Sequence, residues 1–272
     1  MAKKRRPIPH FREKIIETHC HLDYLEEPLS EVFLKMREHN IGPVVTIAVE
    51  PQNLKVVREL AQNHPHVYCT QGIHPHDARQ WSEEVEKEIV SHLADKKTVA
   101  VGEIGLDYYY LKSPREKQID AFRRQLEIAI DHDMPVVIHS RDAEDDTIQI
   151  LQELGPELKG KGVIHSFTSD PRLAHEALSL GFSLGFNGII TFKKVSELRE
   201  VVRETPLENI LLETDSPFLT PEPYRGKKNA PYYLPFVAEK IAEIKDLEVS
   251  QVIRQTTFNA QNLFTKIDAE LH

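Results

Sequence analysis

Cysteine is scarce in this chain: Cys20 and Cys69 are the only two in 272 residues. Two thiols cannot build a disulfide framework or a thiolate zinc site, and so few of them fit a reducing cytoplasm best. Long apolar runs are missing as well. No stretch of about 18 apolar residues occurs, which excludes a helical membrane span. Positive charge is in deficit, with 34 Lys and Arg against 43 Asp and Glu and a formal charge of −9. That balance argues against a broad, sequence-independent grip on nucleic acid, while leaving room for a local basic patch. The basic start, Met1–Pro7 (MAKKRRP), leads into no apolar segment, so it does not read as a secretory leader. Residues 1–14 read instead as a basic, flexible extension, with a tether to nucleic acid as the minor alternative.

What remains is the composition of an ordinary globular protein, 40% apolar and 28% charged. Short β-branched runs alternate with helix-like stretches. Eight such runs occur, at 14–21, 44–49, 67–72, 98–104, 135–139, 162–165, 182–188 and 209–215. Each is near-continuously apolar, as strands buried on both faces are. Apolar residues at helical spacing fill 28–39, 51–63, 82–94, 114–132, 142–154, 171–180, 195–205 and 235–245. Pro28, Pro51, Pro114, Pro171 and Pro235 open five of these, where proline suits a helix start. Eight β-then-α alternations predict a (β/α)8 TIM barrel, one domain over residues 15–272, with 249–264 as an extra C-terminal helix. A doubly wound open sheet is the alternative, but no glycine-rich dinucleotide fingerprint follows the first strand.

Most of the predicted strands end in His, Glu or Asp. In a barrel those ends converge on one face, which holds the active site. Side chains at i and i+2 share a direction, so His19 and His21 face the mouth together while Cys20 packs toward the helices. Six inward groups result: His19, His21, Glu103, His139, His165 and Asp215. Any one strand-end histidine is ordinarily a hydrogen-bonded core or surface residue. Together, four imidazoles and two carboxylates without a cation would leave many buried polar groups unpaired, at about 1–3 kcal/mol each. Six donors exceed the three protein ligands of a single catalytic zinc, so a two-metal site with a shared carboxylate is the natural arrangement.

Seven ordered stretches carry a family likeness: Glu17–Asp23 (ETHCHLD), Gly72–His76 (GIHPH), Gly102–Tyr108 (GEIGLDY), Pro135–Ala143 (PVVIHSRDA), His165–Phe167 (HSF), Glu213–Pro217 (ETDSP) and Pro223–Pro231 (PYRGKKNAP). With these motifs the chain resembles the TatD family of metal-dependent deoxyribonucleases, within the amidohydrolase-like barrels. The resemblance implies one cation held by His19, His21, Glu103 and Asp215, and a second held by Glu103, His139 and His165, with Glu103 bridging. It implies Mg or Mn for activity, with Zn, Ni or Fe as alternative occupants. The family often has Asp where Glu17 stands, Cys where Ser166 stands and a Ser-Gly pair near Thr168 and Ser169. None of these departures removes a proposed ligand.

Phosphodiester hydrolysis needs an activated water, a clamp on the phosphoryl oxygens and charge relief on the leaving oxygen, and two divalent cations supply all three. Asp215 is the candidate general base. Glu17 and Glu213 are expected to lie behind the ligands as hydrogen-bond partners. Arg225 and Lys227, on the proline-rich loop after the eighth strand, are candidates for phosphate binding. Arg141 and His74 are candidates for phosphate or leaving-group contacts. Tyr108, Tyr109 and Tyr110 could stack on a base, although at least two of the three are expected to pack within the loop.

The resulting expectation is a cytoplasmic nuclease acting on DNA, a 3′→5′ exonuclease on single-stranded or frayed ends, with RNA as a further substrate. Its end preference comes from the resemblance alone. One alternative keeps the metals and changes the bond, to ester or amide hydrolysis such as D-aminoacyl-tRNA deacylation. Another is a non-catalytic, metal-bound nucleic-acid-binding module. Neither a membrane nor an obligate protein partner is implied.

Overall fold

A computed structural model of the chain describes residues 5–268. The eight apolar runs become eight parallel strands. They are β1 (Ile15–Cys20), β2 (Ile41–Thr46), β3 (Val67–Gln71), β4 (Thr98–Asp107), β5 (Val136–Arg141), β6 (Gly162–Ile164), β7 (Ser183–Phe186) and β8 (Ile210–Leu212). They pair in chain order from β1 to β8. Among the described residues, nine α-helices follow them: α1 (Leu29–Glu38), α2 (Leu54–Asn63), α3 (Glu83–Leu93), α4 (Arg115–Asp131), α5 (Glu144–Leu154), α6 (Pro171–Ser179), α7 (Ser196–Glu204), α8 (Leu234–Lys245) and α9 (Val249–Leu263). This is the expected (β/α)8 TIM barrel. Its seam is drawn together by bonds between β1 and the chain at the end of β8. The Thr18 hydroxyl donates to the Leu212 carbonyl at 2.9 Å. The Asp215 amide donates to the His19 carbonyl at 2.9 Å, and the His21 amide to the Ser216 carbonyl at 2.8 Å. Among the described residues, no helix is long and apolar enough to cross a membrane.

The strands are buried on both faces, which is why their sequences read as unbroken apolar runs. Inside the barrel, Ile16, Val45, Val99, Val137, Val163 and Leu211 form one core with Phe264 and Leu263. The extra helix thereby closes the N-terminal end of the barrel. Asn259 on α9 donates to the carbonyls of Leu207, just before β8, and Ile210, its first residue. Lys266 donates to three carbonyls around the start of β4, on the far side. With that end plugged, the open face is the one where the strands finish.

The strand ends differ from the sequence reading by one to three residues. β1 stops at Cys20, β6 at Ile164 and β8 at Leu212, so His21, His165, Glu213 and Asp215 stand beyond the ladder. Asp215 takes a left-handed backbone (φ 55°), as does Ser166 (φ 45°). Strand parity therefore does not orient Glu213 and Asp215. β4 instead runs three residues further than expected, to Asp107, and a glycine makes that possible. Gly105 adopts φ +132°, and a Cβ there would lie 2.0 Å from the His139 carbonyl oxygen. Only glycine lets β4 approach β5 so closely at this level.

Of the segment expected to be a flexible extension, Met1–Lys4 lie outside the described residues, as do residues 269–272 at the other end. Residues 5–14 are docked on the barrel. Ile8 and Phe11 bring apolar surface to the outer core, Arg5 donates to the Pro223 carbonyl, and the Tyr224 hydroxyl donates to the Arg6 carbonyl.

Candidate metal centre

Glu103, buried on β4, is the hub of the mouth. Its Oε1 lies 2.7 Å from His165 Nε2, 3.0 Å from His139 Nδ1 and 3.4 Å from His74 Nε2. Its Oε2 lies 3.5 Å from His19 Nε2. Asp215 Oδ1 lies 3.4 Å from His21 Nε2 and 3.8 Å from His19 Nε2. The rings of His19 and His165 stack at 3.8 Å and 7°, which joins the two halves of the cluster. All six residues singled out in the sequence thus converge. Three donor groups lie within 4.8 Å internally: His19, His165 and Asp215; His19, His21 and Glu103; and His74, Glu103 and His139. His74, a candidate for contact with phosphate or leaving group or for orienting a ligand, stands among these donors.

The chemistry of this set fits a divalent cation. Both ring nitrogens of His19, and Nδ1 of His21 and of His165, are buried without a hydrogen-bond partner. Buried polar atoms are ordinarily paired, and imidazole nitrogens beside carboxylate oxygens match Zn, Mn, Fe and, with fewer nitrogens, Mg. Electrostatics keeps the carboxylates charged. Burial opposes ionisation of Glu103, but His165, His74 and His139 hold it well below the usual range. Burial likewise opposes charge on Asp215, and His21, His19 and His165 outweigh it. Burial, reinforced by the neighbouring His165, pulls the His19 imidazole down, toward the neutral form that ligates.

The residues behind the donors are as definite. Glu17 Oε1 accepts from the amides of His19 (3.1 Å) and Thr214 (2.9 Å), so it ties β1 to the chain after β8 through backbone, not through a ligand ring. Glu213 Oε1 accepts from the Ser166 amide at 2.6 Å and lies 3.6 Å from His165 Nδ1. Gly185 leaves it room, since a Cβ there would stand 2.3 Å from Glu213 Oε2.

Asp107 was not singled out in the sequence. Its Oδ2 lies 3.1 Å from His139 Nε2 and 3.0 Å from His76 Nε2, and its Oδ1 accepts from the Tyr110 amide at 2.9 Å. Burial opposes its charge, yet His139, His76 and that amide hold the carboxyl far below its ordinary value. It fixes His139 with Nδ1 turned toward Glu103. Glu103, Gly105 and Asp107 alternate along one strand, so parity extended past the predicted strand end would have found it.

The candidate substrate residues lie further out. The Arg141 guanidinium covers the ring of Tyr109 at 4.0 Å and of Tyr110 at 4.9 Å. Arg225 lies over Phe192 at 4.1 Å, and Lys227 is exposed on the same loop. Among the described residues, no hydrogen bond or ion pair joins Arg225 or Lys227 to the donor cluster. The tyrosine expectation is corrected: only Tyr108 packs, with its hydroxyl on Asp146, while Tyr109 and Tyr110 stay more than half exposed. A cation rather than the core packs against them.

A TIM barrel with clustered imidazoles and carboxylates at the C-terminal ends of its strands defines a metal-dependent hydrolase. Residues 16–265 match the model of the TatD related DNase family, and the chain belongs to that family. It is 38% identical over 252 residues to the Bacillus subtilis (strain 168) protein named uncharacterized metal-dependent hydrolase YabD, covering 92% of this chain and 98% of that one. It is 35% identical over 213 residues to the 3′-5′ ssDNA/RNA exonuclease TatD of Escherichia fergusonii, covering 76% and 81%. Among solved structures, the TatD homologue YJJV of Escherichia coli K12 superposes with a TM-score of 0.87 at 29% identity, covering 92% and 98%.

Proposed function

We propose that the chain is a nuclease that hydrolyses phosphodiester bonds in DNA, trimming single-stranded or frayed ends 3′→5′, with RNA as a further substrate. The carrying observation is the convergence of buried imidazole nitrogens, His19 Nε2 among them without a hydrogen-bond partner, on two ionised carboxylates at the open mouth. The name of the Escherichia fergusonii relative supports the choice of bond and polarity. His19, His21, Glu103 and Asp215 would hold one cation, and Glu103, His139 and His165 a second, with His74 a further donor beside Glu103. When bound, Mg or Mn supplies Lewis-acid polarisation of the phosphate and lowers the pKa of a coordinated water.

The chain's own groups do the rest. Asp215, ionised and at the rim, accepts the proton of the attacking water. Asp107 orients His139, and Glu213 faces His165, so both rings present a fixed nitrogen to the mouth. Arg141, Arg225 and Lys227 attract the flanking phosphates. An end-labelled single-stranded oligonucleotide and a mischarged aminoacyl-tRNA, offered in parallel, test the reading. The expected result is stepwise shortening of the oligonucleotide, abolished by chelation and restored by Mg or Mn. Deacylation of the tRNA with the oligonucleotide left intact would overturn it in favour of an ester hydrolase, and tight binding without turnover would make the chain a binding module.

A further inference from the structure

Large apolar side chains are exposed unevenly over this surface. Eight are exposed among the described residues, and five of them, Tyr24, Tyr109, Tyr110, Leu111 and Phe218, sit on the loops after β1, β4 and β8. The other three, Leu34, Val56 and Phe258, stand singly on α1, α2 and α9. Isolated exposed residues are ordinary, whereas a collection around a catalytic mouth marks a contact surface.

The aromatic members form two patches. At the seam between β8 and β1, Tyr24 lies nearly parallel to the His21 ring at 5.3 Å and 17°. Phe218 meets the same ring edge-on at 6.0 Å. At the ends of β4 and β5, Tyr109 and Tyr110 stand perpendicular at 4.8 Å, under the Arg141 guanidinium. Tyr110 also meets His76 edge-on at 5.5 Å. With the strands ordered β1 to β8 around the barrel, the two patches are half a circumference apart. The donor cluster lies between them, with His21 and Asp215 toward one and His139 and Asp107 toward the other.

We propose that these two patches are stacking sites for unpaired nucleobases, one on each side of the phosphate at the donor cluster. The inference rests on the nucleic-acid reading above and names the residues that hold the bases. Aromatic faces half open to solvent beside a guanidinium match the flat faces and adjoining phosphates of single-stranded nucleic acid. In a duplex the base faces are covered by their neighbours, so only a frayed end offers one. A chain with a formal charge of −9 gains little from sequence-independent phosphate attraction beyond the mouth, so stacking adds grip on the strand that net charge does not supply.

The test compares two single-stranded oligonucleotides of equal length, one carrying ordinary bases and one abasic over the last three sugars of the attacked end. The wild-type chain is expected to prefer the base-bearing strand in kcat/KM by about 5- to 150-fold per stacked base. Tyr109→Leu with Tyr110→Leu, and separately Phe218→Leu, should shrink that ratio toward one, mainly through KM, at an unchanged melting temperature. Phe258→Leu, exposed on α9 away from the mouth, should keep the wild-type ratio. Equal handling of the two strands by the wild-type chain, or a ratio untouched by the mouth substitutions, would overturn the stacking sites while leaving the nuclease reading intact. No cleavage of either strand in Mg or Mn would overturn both.

Discussion

At the scale of single residues, Asp215 and Glu103 carry similar charge but different duties. Glu103 is 3% exposed and enclosed by four histidines, so its oxygens are committed to those rings. Asp215 has a side chain 13% exposed and sits past the end of β8, where a substrate can reach it. That placement suits the proton role proposed for it. Asp215→Asn is nearly isosteric, keeps an oxygen toward His21 and removes the base. The expected outcome is a fall in kcat of at least about 100-fold, with far-UV circular dichroism and melting temperature retained. Near wild-type turnover in the folded variant would take that role from Asp215.

At the scale of elements, the loops and helix starts position what the strands carry. α6 follows the loop that bears His165 and Ser166, and its first turn is capped by Asp170. The Asp170 carboxylate accepts from the amides of Arg172 at 2.9 Å and Leu173 at 3.3 Å. Partial burial opposes its charge, but the Arg172 guanidinium and these amides outweigh burial and lower its pKa from the ordinary 3.8. A carboxyl lowered on folding stabilises the native state above its unfolded pKa, and that contribution fades as the pH falls through the folded value. Asp170→Ala is therefore expected to cost about 1 kcal/mol at pH 7, with the gap to wild type narrowing below about pH 4. Urea denaturation of both proteins across that range measures it, and a gap that persisted in acid would assign the effect to something other than the charged cap.

At the scale of the whole molecule, the barrel brings donors from six strand ends to one place and leaves some of their nitrogens short of partners. A cation that binds the folded chain and not the unfolded one stabilises the fold by mass action, by about 2.7 kcal/mol at a hundred times its dissociation constant. Chelated protein is expected to melt lower than metal-loaded protein, and Mn should raise the melting temperature steadily with concentration. Scanning calorimetry across a Mn series reads this without any substrate. A transition indifferent to Mn would mean that the cluster holds no cation.

The repeating architecture and the six principal donors were legible in the primary structure because both are local signals. Buried parallel strands leave unbroken apolar runs, and a histidine or carboxylate at the end of such a run needs no distant information to be noticed. The cap of α9 on the barrel floor, the reach of β4 to Asp107 and the turn of Asp215 out of strand geometry were not legible in that way. Each depends on a contact made across the chain. Glu17 reaches the Thr214 amide 197 residues away, and Gly105 admits the His139 carbonyl at a distance that a Cβ would forbid. Tyr109 and Tyr110 likewise look like core residues in a string of letters. A folded barrel leaves no core beyond its rim to receive them, so their faces turn to Arg141 and to solvent.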